Sequence, residues 1–209
     1  KTSLRDATKA GAEVVKQSKN PKMASLLYPG LQVLDEEYLD VDCQFGGIDQ
    51  RKIFMMADKY LPIMGYKKRS HLMNPMIKSF ADDSDEKMSS SEINTKIDLI
   101  DTPKQIKKKI GKAFCPEKGI DTGLFQFFEK VIYKIVNSTQ SNIIFYRPDE
   151  YGGNIECNDF DDIVKNIVSG NIHPADFKTY ISKFLIELLE PVRNLLENKE
   201  FIEAEKLGY

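Results

Sequence analysis

Apolar positions recur at helical spacing along much of the chain, and short apolar runs break that rhythm in a few places. Ala10, Val14 and Val15 predict a helix over 7–19, stopped by Pro21. A second helical pattern runs from Met23 to Leu39 through Leu26, Leu27, Leu31, Leu34 and Tyr38. Pro29-Gly30 falls inside it, so this helix is expected to start or kink near Pro29. The run Val41 to Phe45 reads as a strand ending at Gly46-Gly47, and Asp49 is placed to cap a helix over 50–61. His71 to Asn74 gives another short strand. Strand, glycine turn and helix in that order are the grammar of an α/β domain that binds its ligand at the carboxyl end of the strands.

After Asp98 the character changes. Segments 103–113, 123–136, 159–168 and 176–197 read as helices, with one short strand candidate at 143–146. The fold class expected from this pattern is α/β followed by α, with a boundary at Asp101-Thr102, giving domains 1–101 and 102–209.

Composition adds limits. In 209 residues, 41% are apolar and 30% charged, as in soluble globular proteins. No run of 18 apolar residues occurs, so a membrane span is not expected. Cys43, Cys115 and Cys157 form no C-x-x-C pair, which argues for reduced thiols in the cytosol and against a zinc site. With two histidines, His71 and His173, no metal centre is expected. The net charge of −2 means that any contact with nucleic acid must come from local basic patches. The first residue is Lys1, which suggests a processed or truncated polypeptide.

The stretch with the most chemistry is Lys87-Met88-Ser89-Ser90-Ser91, preceded by the acidic run Asp82 to Glu86. A lysine among hydroxyls on an adaptable loop can meet the charge growing on a departing pyrophosphate; alone, such a motif is more often a solvated turn. Tyr28, Gln32 and Asp35, at offsets of four and three, share one helix face and offer a hydroxyl, an amide and a carboxylate to a small polar ligand. The alternative puts Tyr28 in the core and the other two in solvent. The Gly46-Gly47-Ile48-Asp49-Gln50 turn allows close backbone approach, with Asp49 able to accept from ribose hydroxyls and Gln50 able to orient a carboxylate or phosphate. Lys104, Lys107, Lys108, Lys109 and Lys112 fall on one helix sector, as a solvated face or a phosphate contact. Tyr151 beside Gly152-Gly153 is suited to stack on an unpaired base. Asp176, after His173-Pro174, reads as a helix cap or as an acceptor for a guanine edge.

Taken as an ordered set, these motifs resemble the eukaryotic-type tyrosyl-tRNA synthetase family. The resemblance rests on Leu27-Tyr28-Pro29-Gly30-Leu31-Gln32, Asp35 to Tyr38, Gln44 to Phe54, His71 to Met76 and Lys87 to Ser91. It continues through Lys96 to Leu99, Lys107 to Lys109, Ala113-Phe114-Cys115 and Leu188 to Arg193, so it covers nearly the whole chain. It implies the second half of a Rossmann-like class I catalytic domain, with the K-M-S-S-S loop, followed by a mostly helical anticodon-binding domain. The implied activity is tyrosine–tRNA ligation: ATP, with Mg2+, activates tyrosine to tyrosyl-adenylate, and the tyrosyl group passes to tRNA(Tyr). Tyr28 and Gln32 would hold the substrate ammonium, Asp35 the phenol hydroxyl, and Gln44 and Gln50 would face the amino acid. Gly47 and Asp49 would take the ribose, and the backbone at Met76 would meet adenine. Lys87, Ser89, Ser90 and Ser91 would neutralise the pyrophosphate. Tyr151 would stack on the first anticodon base and Asp176 would read it. A homodimer in the cytoplasm, with no membrane association, is implied as well.

Two departures stand out. The family's His-x-Gly-His type motif cannot be built from two histidines so far apart, so the chain is expected to be the C-terminal part of the enzyme. The segment before Lys87 is acidic and lacks the expected glycines, and Ser90 stands where bacterial loops carry a second lysine. Competing readings are a tryptophanyl enzyme, a tRNA-binding or signalling module without catalysis, and a structural helical protein.

Overall fold

The computed structural model of the protein describes residues 2–14, 22–81, 96–139, 141–196 and 203. By packing, the chain divides into two compact units, residues 1–76 and 77–209. The composition change near 101–102 lies later than this division. The segment after Ile77 belongs with the helices because Phe80 is buried among them, edge-on to Phe127 at 5.5 Å. Its carbonyl also accepts from the Phe114 N–H at 2.8 Å.

In the first unit, α1 (Leu4–Ala10) is capped by the Ser3 side chain. It is shorter than the expected 7–19, because a turn follows at once over 11–14. Helix α2 (Met23–Tyr38) starts six residues before Pro29 and continues through it. Pro29, Val33 and Glu36, spaced by four and three, form its buried face. Burial on that face outweighs the amide hydrogen bond that proline cannot donate. Strand β1 (Cys43–Gly47) leads through a short 3-10 turn, Ile48–Gln50, into α3 (Arg51–Tyr60). The cap position of α3 is Gln50, not Asp49, and no side chain caps it, because the 3-10 turn already occupies the entry. Strand β2 (Ser70–Asn74) pairs in parallel with β1, from Cys43 opposite Ser70 to Gly47 opposite Asn74. The core of this β-α-β unit gathers Ala10, Val33, Ile53, Met56, Ala57, Tyr60 and Leu61.

A polar clamp joins α1 to α3. Asp6 accepts from the Lys59 ammonium at 2.8 Å and from the Tyr60 hydroxyl. Lys59 first, and then Tyr60, hold the Asp6 carboxyl at about 2, below its ordinary 3.8. A depressed carboxyl stabilises the fold fully above its unfolded value and loses that effect as pH falls through the folded one. Acidification between about pH 4 and about pH 2 is therefore expected to loosen α1. In Asp6→Asn, the drop in urea midpoint between about pH 5 and about pH 2.5 should be smaller than in the wild type. An equal drop in both proteins would show that the clamp is not the titrating element.

The second unit is mostly helical. Helix α4 (Pro103–Lys112) begins with a capping box between Thr102 and Gln105. The expected helix over 123–136 is α5 (Gly123–Phe127), a π-turn over Phe128–Ile132, and α6 (Tyr133–Ser138). Strand β3 (Ile143–Phe145) pairs antiparallel with β4 (Ile155–Cys157), a strand too short to announce itself in the sequence. Then follow α7 (Phe160–Ser169), α8 (Pro174–Leu188) and α9 (Glu190–Leu196), so the single helix expected over 176–197 is two. His173 caps α8, its ring accepting from the Ala175 N–H at 3.1 Å; Asp176 lies inside the first turn, which corrects its reading as the cap. Phe128, Phe145 and Phe177 are buried together with Ile106, Ile110, Leu124 and Ile181 in one continuous core. Among the described residues no helix is long and apolar enough to cross a membrane.

Candidate functional site

The first candidate site lies where α2 meets the turn after β1. Tyr28, Gln32 and Asp35 share a face of α2, one position back from the buried face at Pro29, Val33 and Glu36. Tyr28 is 48% exposed, which removes the alternative that places it in the core. Gln32 is half-buried, and its amide N–H donates to the Gln50 side-chain oxygen at 3.0 Å. The Gln32 oxygen is buried and has no hydrogen-bond partner among the described residues. A buried acceptor left without a donor costs about 1–3 kcal/mol, so the position calls for a ligand that brings an N–H. Asp35 is exposed on the same face, and Gln44 is half-buried on β1 in register with His71.

The glycine turn brings three further candidates together. A Cβ on Gly47 would come within 2.6 Å of an Asp49 carboxylate oxygen and 2.9 Å of the Met76 sulfur. With a glycine here, the strand end, the Asp49 carboxylate and Met76 sit close together; a larger residue would push those side chains aside. These groups lie at the carboxyl ends of two parallel strands, the position where α/β folds bind ligands.

Sequence reasoning missed what holds this arrangement. Glu36, 1% exposed, pairs with His71 Nε2 at 2.9 Å, tying α2 to β2. The His71 ring stacks on Phe54 of α3 at 4.6 Å and 9°. Arg69 completes the frame, donating to the Val41 carbonyl at 3.1 Å and pairing with Glu37 at 2.7 Å. Helix α2, which carries Gln32, strand β2, which leads toward Met76, and helix α3, which Gln50 caps, are thereby fixed to each other. The only signal in the sequence was a histidine in a strand and an acid on a helix, which spacing cannot connect.

The second candidate site lies in the helical unit. Tyr151 ends a 3-10 turn, Asp149–Tyr151, and is 68% exposed. Gly152 and Gly153 follow with φ of 94° and 70°, which reverse the chain beneath it. Arg147, not singled out in the sequence, joins this turn to α8. It donates to the Gly153 carbonyl at 2.6 Å and the Asn171 carbonyl at 2.8 Å, and it lies 3.9 Å from Asp176. Tyr151 and Asp176 thus belong to one neighbourhood linked by a guanidinium.

Of the lysine sector on α4, Lys109 departs from both expected readings. It is 5% exposed and paired with Asp101, so it faces neither solvent nor a phosphate, whereas Lys104, Lys107, Lys108 and Lys112 are exposed. Lys87, Ser89, Ser90 and Ser91 lie outside the described residues. Among the described residues, no group of three or more His, Cys, Asp or Glu side chains is placed to hold a metal ion.

The sequence model of class I tRNA synthetases (W and Y) matches residues 2–190. The chain is 48% identical over 205 residues to the cytoplasmic tyrosine–tRNA ligase of Xenopus tropicalis, covering 98% of the chain and 38% of that protein. It is 46% identical over 213 residues to the cytoplasmic tyrosine–tRNA ligase of Saccharomyces cerevisiae, covering 99% of the chain and 54% of that protein. The chain therefore spans about half or less of these relatives' lengths. Among solved structures it is similar to tyrosyl-tRNA synthetase complexed with L-tyrosine from Archaeoglobus fulgidus. The TM-score is 0.78 at 32% identity, over 92% of this chain and 58% of that one.

Proposed function

The chain belongs to the class I tRNA synthetases of the tryptophan and tyrosine type, and on that premise we propose that it serves tyrosine–tRNA ligation in the cytoplasm. Tyrosine is activated by ATP to tyrosyl-adenylate, and the tyrosyl group is passed to tRNA(Tyr). The cytoplasmic assignment follows the relatives' names, and a homodimer is the assembly proposed with it.

The observation that carries the reading is the Gln32 pair. Two motifs 18 residues apart meet through the Gln32–Gln50 hydrogen bond, and the Gln32 oxygen beside it is buried and unmatched among the described residues. An α-ammonium supplies the missing donor. Tyr28 would hold the same ammonium from the preceding turn, and Gln44 and Gln50 would face the amino acid, with Gln50 near its carboxylate. Asp35, on the same helix face, would accept from the phenol hydroxyl. That contact separates tyrosine from phenylalanine and tryptophan, neither of which carries a phenol. Gly47 and Asp49 would take the ribose of ATP, with adenine against the backbone at Met76. Magnesium would arrive with the phosphates of ATP, as part of the substrate. In the helical unit, Tyr151 would stack on the first anticodon base and Asp176 would read its edge, with Arg147 holding the two elements in place.

The role of Asp35 has a direct test. A hydrogen bond to a charged group contributes about 1.5–3 kcal/mol, so Asp35→Asn should lower the preference for tyrosine over phenylalanine in kcat/KM by roughly 10- to 150-fold. The assay is adenylate formation by the intact gene product with each amino acid. An unchanged preference would remove Asp35 from the tyrosine site.

A further inference from the structure

A groove of roughly 260 Å³ lies between the end of β3 and α8, lined by Tyr146, Asp176, Thr179, Tyr180, Lys183 and others. Tyr146 follows β3 directly and is 61% exposed, more than any partner in a folded core would allow. The Lys183 ammonium lies over its ring, 5.1 Å from the centroid. One ring face therefore carries a cation and the remainder is open to a flat ligand. The groove has fixed walls. Tyr180 is packed against Phe145 at 5.1 Å, and the Asn142 amide donates to Glu156 at 2.7 Å. Burial first, and Glu187 second, push the Tyr180 hydroxyl up to about 12, as befits a ring packed into the groove wall.

Lys183 also borders a second and larger cavity of roughly 830 Å³, on the α4 side of α8. Lys107, Lys178 and Lys183 line it, with Glu187 as the one carboxylate among its described lining residues. This excess of positive charge is local, because the whole chain carries a net charge of −2. Thr179, Lys183 and Glu187 belong to both cavities, so an aromatic groove and a basic hollow adjoin along one ridge of α8. A flat ring, hydrogen-bonding groups beside it and cations one step away match the three parts of an unpaired nucleotide: base, edge and phosphate.

We propose that Tyr146, with Lys183 over one ring face, is a base-stacking platform for an unpaired RNA nucleotide, next to the one that reaches Asp176. The phosphate of that nucleotide turns toward Lys183 and Lys178. This rests on the reading of the helical unit as a tRNA anticodon-binding part, and it adds a second stacked position to the one assigned to Tyr151.

The test is binding of an anticodon stem-loop RNA to the intact gene product, by fluorescence anisotropy at several salt concentrations. Tyr146→Ala should weaken binding roughly 5- to 150-fold, the range for loss of one base–aromatic stack, whereas Tyr146→Phe should bind like the wild type. Because the side chain is largely exposed, the alanine variant should fold normally, and rescue by phenylalanine separates stacking from any hydroxyl contact. Lys183→Gln should lower the slope of log Kd against log salt by about 0.7. An abasic residue flanking the first anticodon position should weaken wild-type binding by the same factor as Tyr146→Ala and have no further effect in that variant. Binding by Tyr146→Ala equal to that of the wild type would overturn this inference and leave the tRNA reading standing. No binding by the wild type would overturn both.

Discussion

Replacing Lys109 with alanine is expected to destabilise the helical unit by about 3–5 kcal/mol, the cost of leaving a buried charge without its partner. Lys109 and Asp101 are 5% and 4% exposed. The ammonium reaches both Asp101 oxygens, at 2.7 and 2.6 Å. One of those oxygens also accepts from the Asp98 N–H at 2.8 Å, and Arg193 approaches the Asp101 carbonyl at 3.5 Å. The pair therefore fastens α4, the segment before it and α9 at one point. Losing the lysine would leave a carboxylate in a dry site next to the capping box at Thr102. Removing both charges is a different experiment, because well-packed apolar residues often replace a buried ion pair at little cost. Lys109→Met with Asp101→Leu should accordingly recover most of what Lys109→Ala loses. Denaturant unfolding of the three proteins reads this as a shift in midpoint at unchanged slope. A loss below about 1 kcal/mol for Lys109→Ala would mean that the pair behaves like a surface contact.

The other large effect concerns Lys87. In the proposed reaction, the tyrosine carboxylate attacks the α-phosphorus of ATP, and negative charge grows on the pyrophosphate as its bond to that phosphorus breaks. A cation that meets that charge mainly in the transition state raises kcat and contributes little to ground-state binding. Lys87→Ala is expected to lower kcat for adenylate formation by roughly 100- to 1,000-fold, as for loss of one preorganised electrostatic donor. The KM for tyrosine should stay within about threefold of the wild type, because Lys87 is not assigned to the amino-acid site. Single-turnover measurement with tyrosine separates the two. An unchanged kcat would exclude Lys87 from the chemistry, and a raised KM at constant kcat would make it a binding residue only.

The chain announced its helices where burial follows helical spacing, as in α3 with Ile53, Phe54, Met56, Ala57 and Tyr60. The two short strands β1 and β2 were legible because glycines and Pro75 bound two short runs, whereas their parallel pairing comes from the structure. Pro29 misled in the usual way: local propensity argued for a helix start, and the buried face at Pro29, Val33 and Glu36 decided otherwise. β4 is three residues, Ile155-Glu156-Cys157, and gains its identity only from pairing with β3. Lys109 looked like its exposed neighbours because nothing in a lysine-rich helix marks which lysine meets a carboxylate eight residues back. The same holds for the site. Tyr28, Gln32 and Asp35 were readable as one face, whereas His71, Glu36 and Arg147 act through contacts between elements far apart in sequence. Supports of this kind are invisible to periodicity, which records the faces of single elements and not how those faces meet.

The central claim is that this chain handles tyrosine, and tyrosine-dependent ATP–pyrophosphate exchange by the intact gene product tests it most directly. Phenylalanine and tryptophan at equal concentration are the controls. Exchange with tyrosine, together with little or none with the other two, is the result predicted from Asp35 and the Gln32–Gln50 pair. Exchange driven by tryptophan, or equally by phenylalanine, would contradict it.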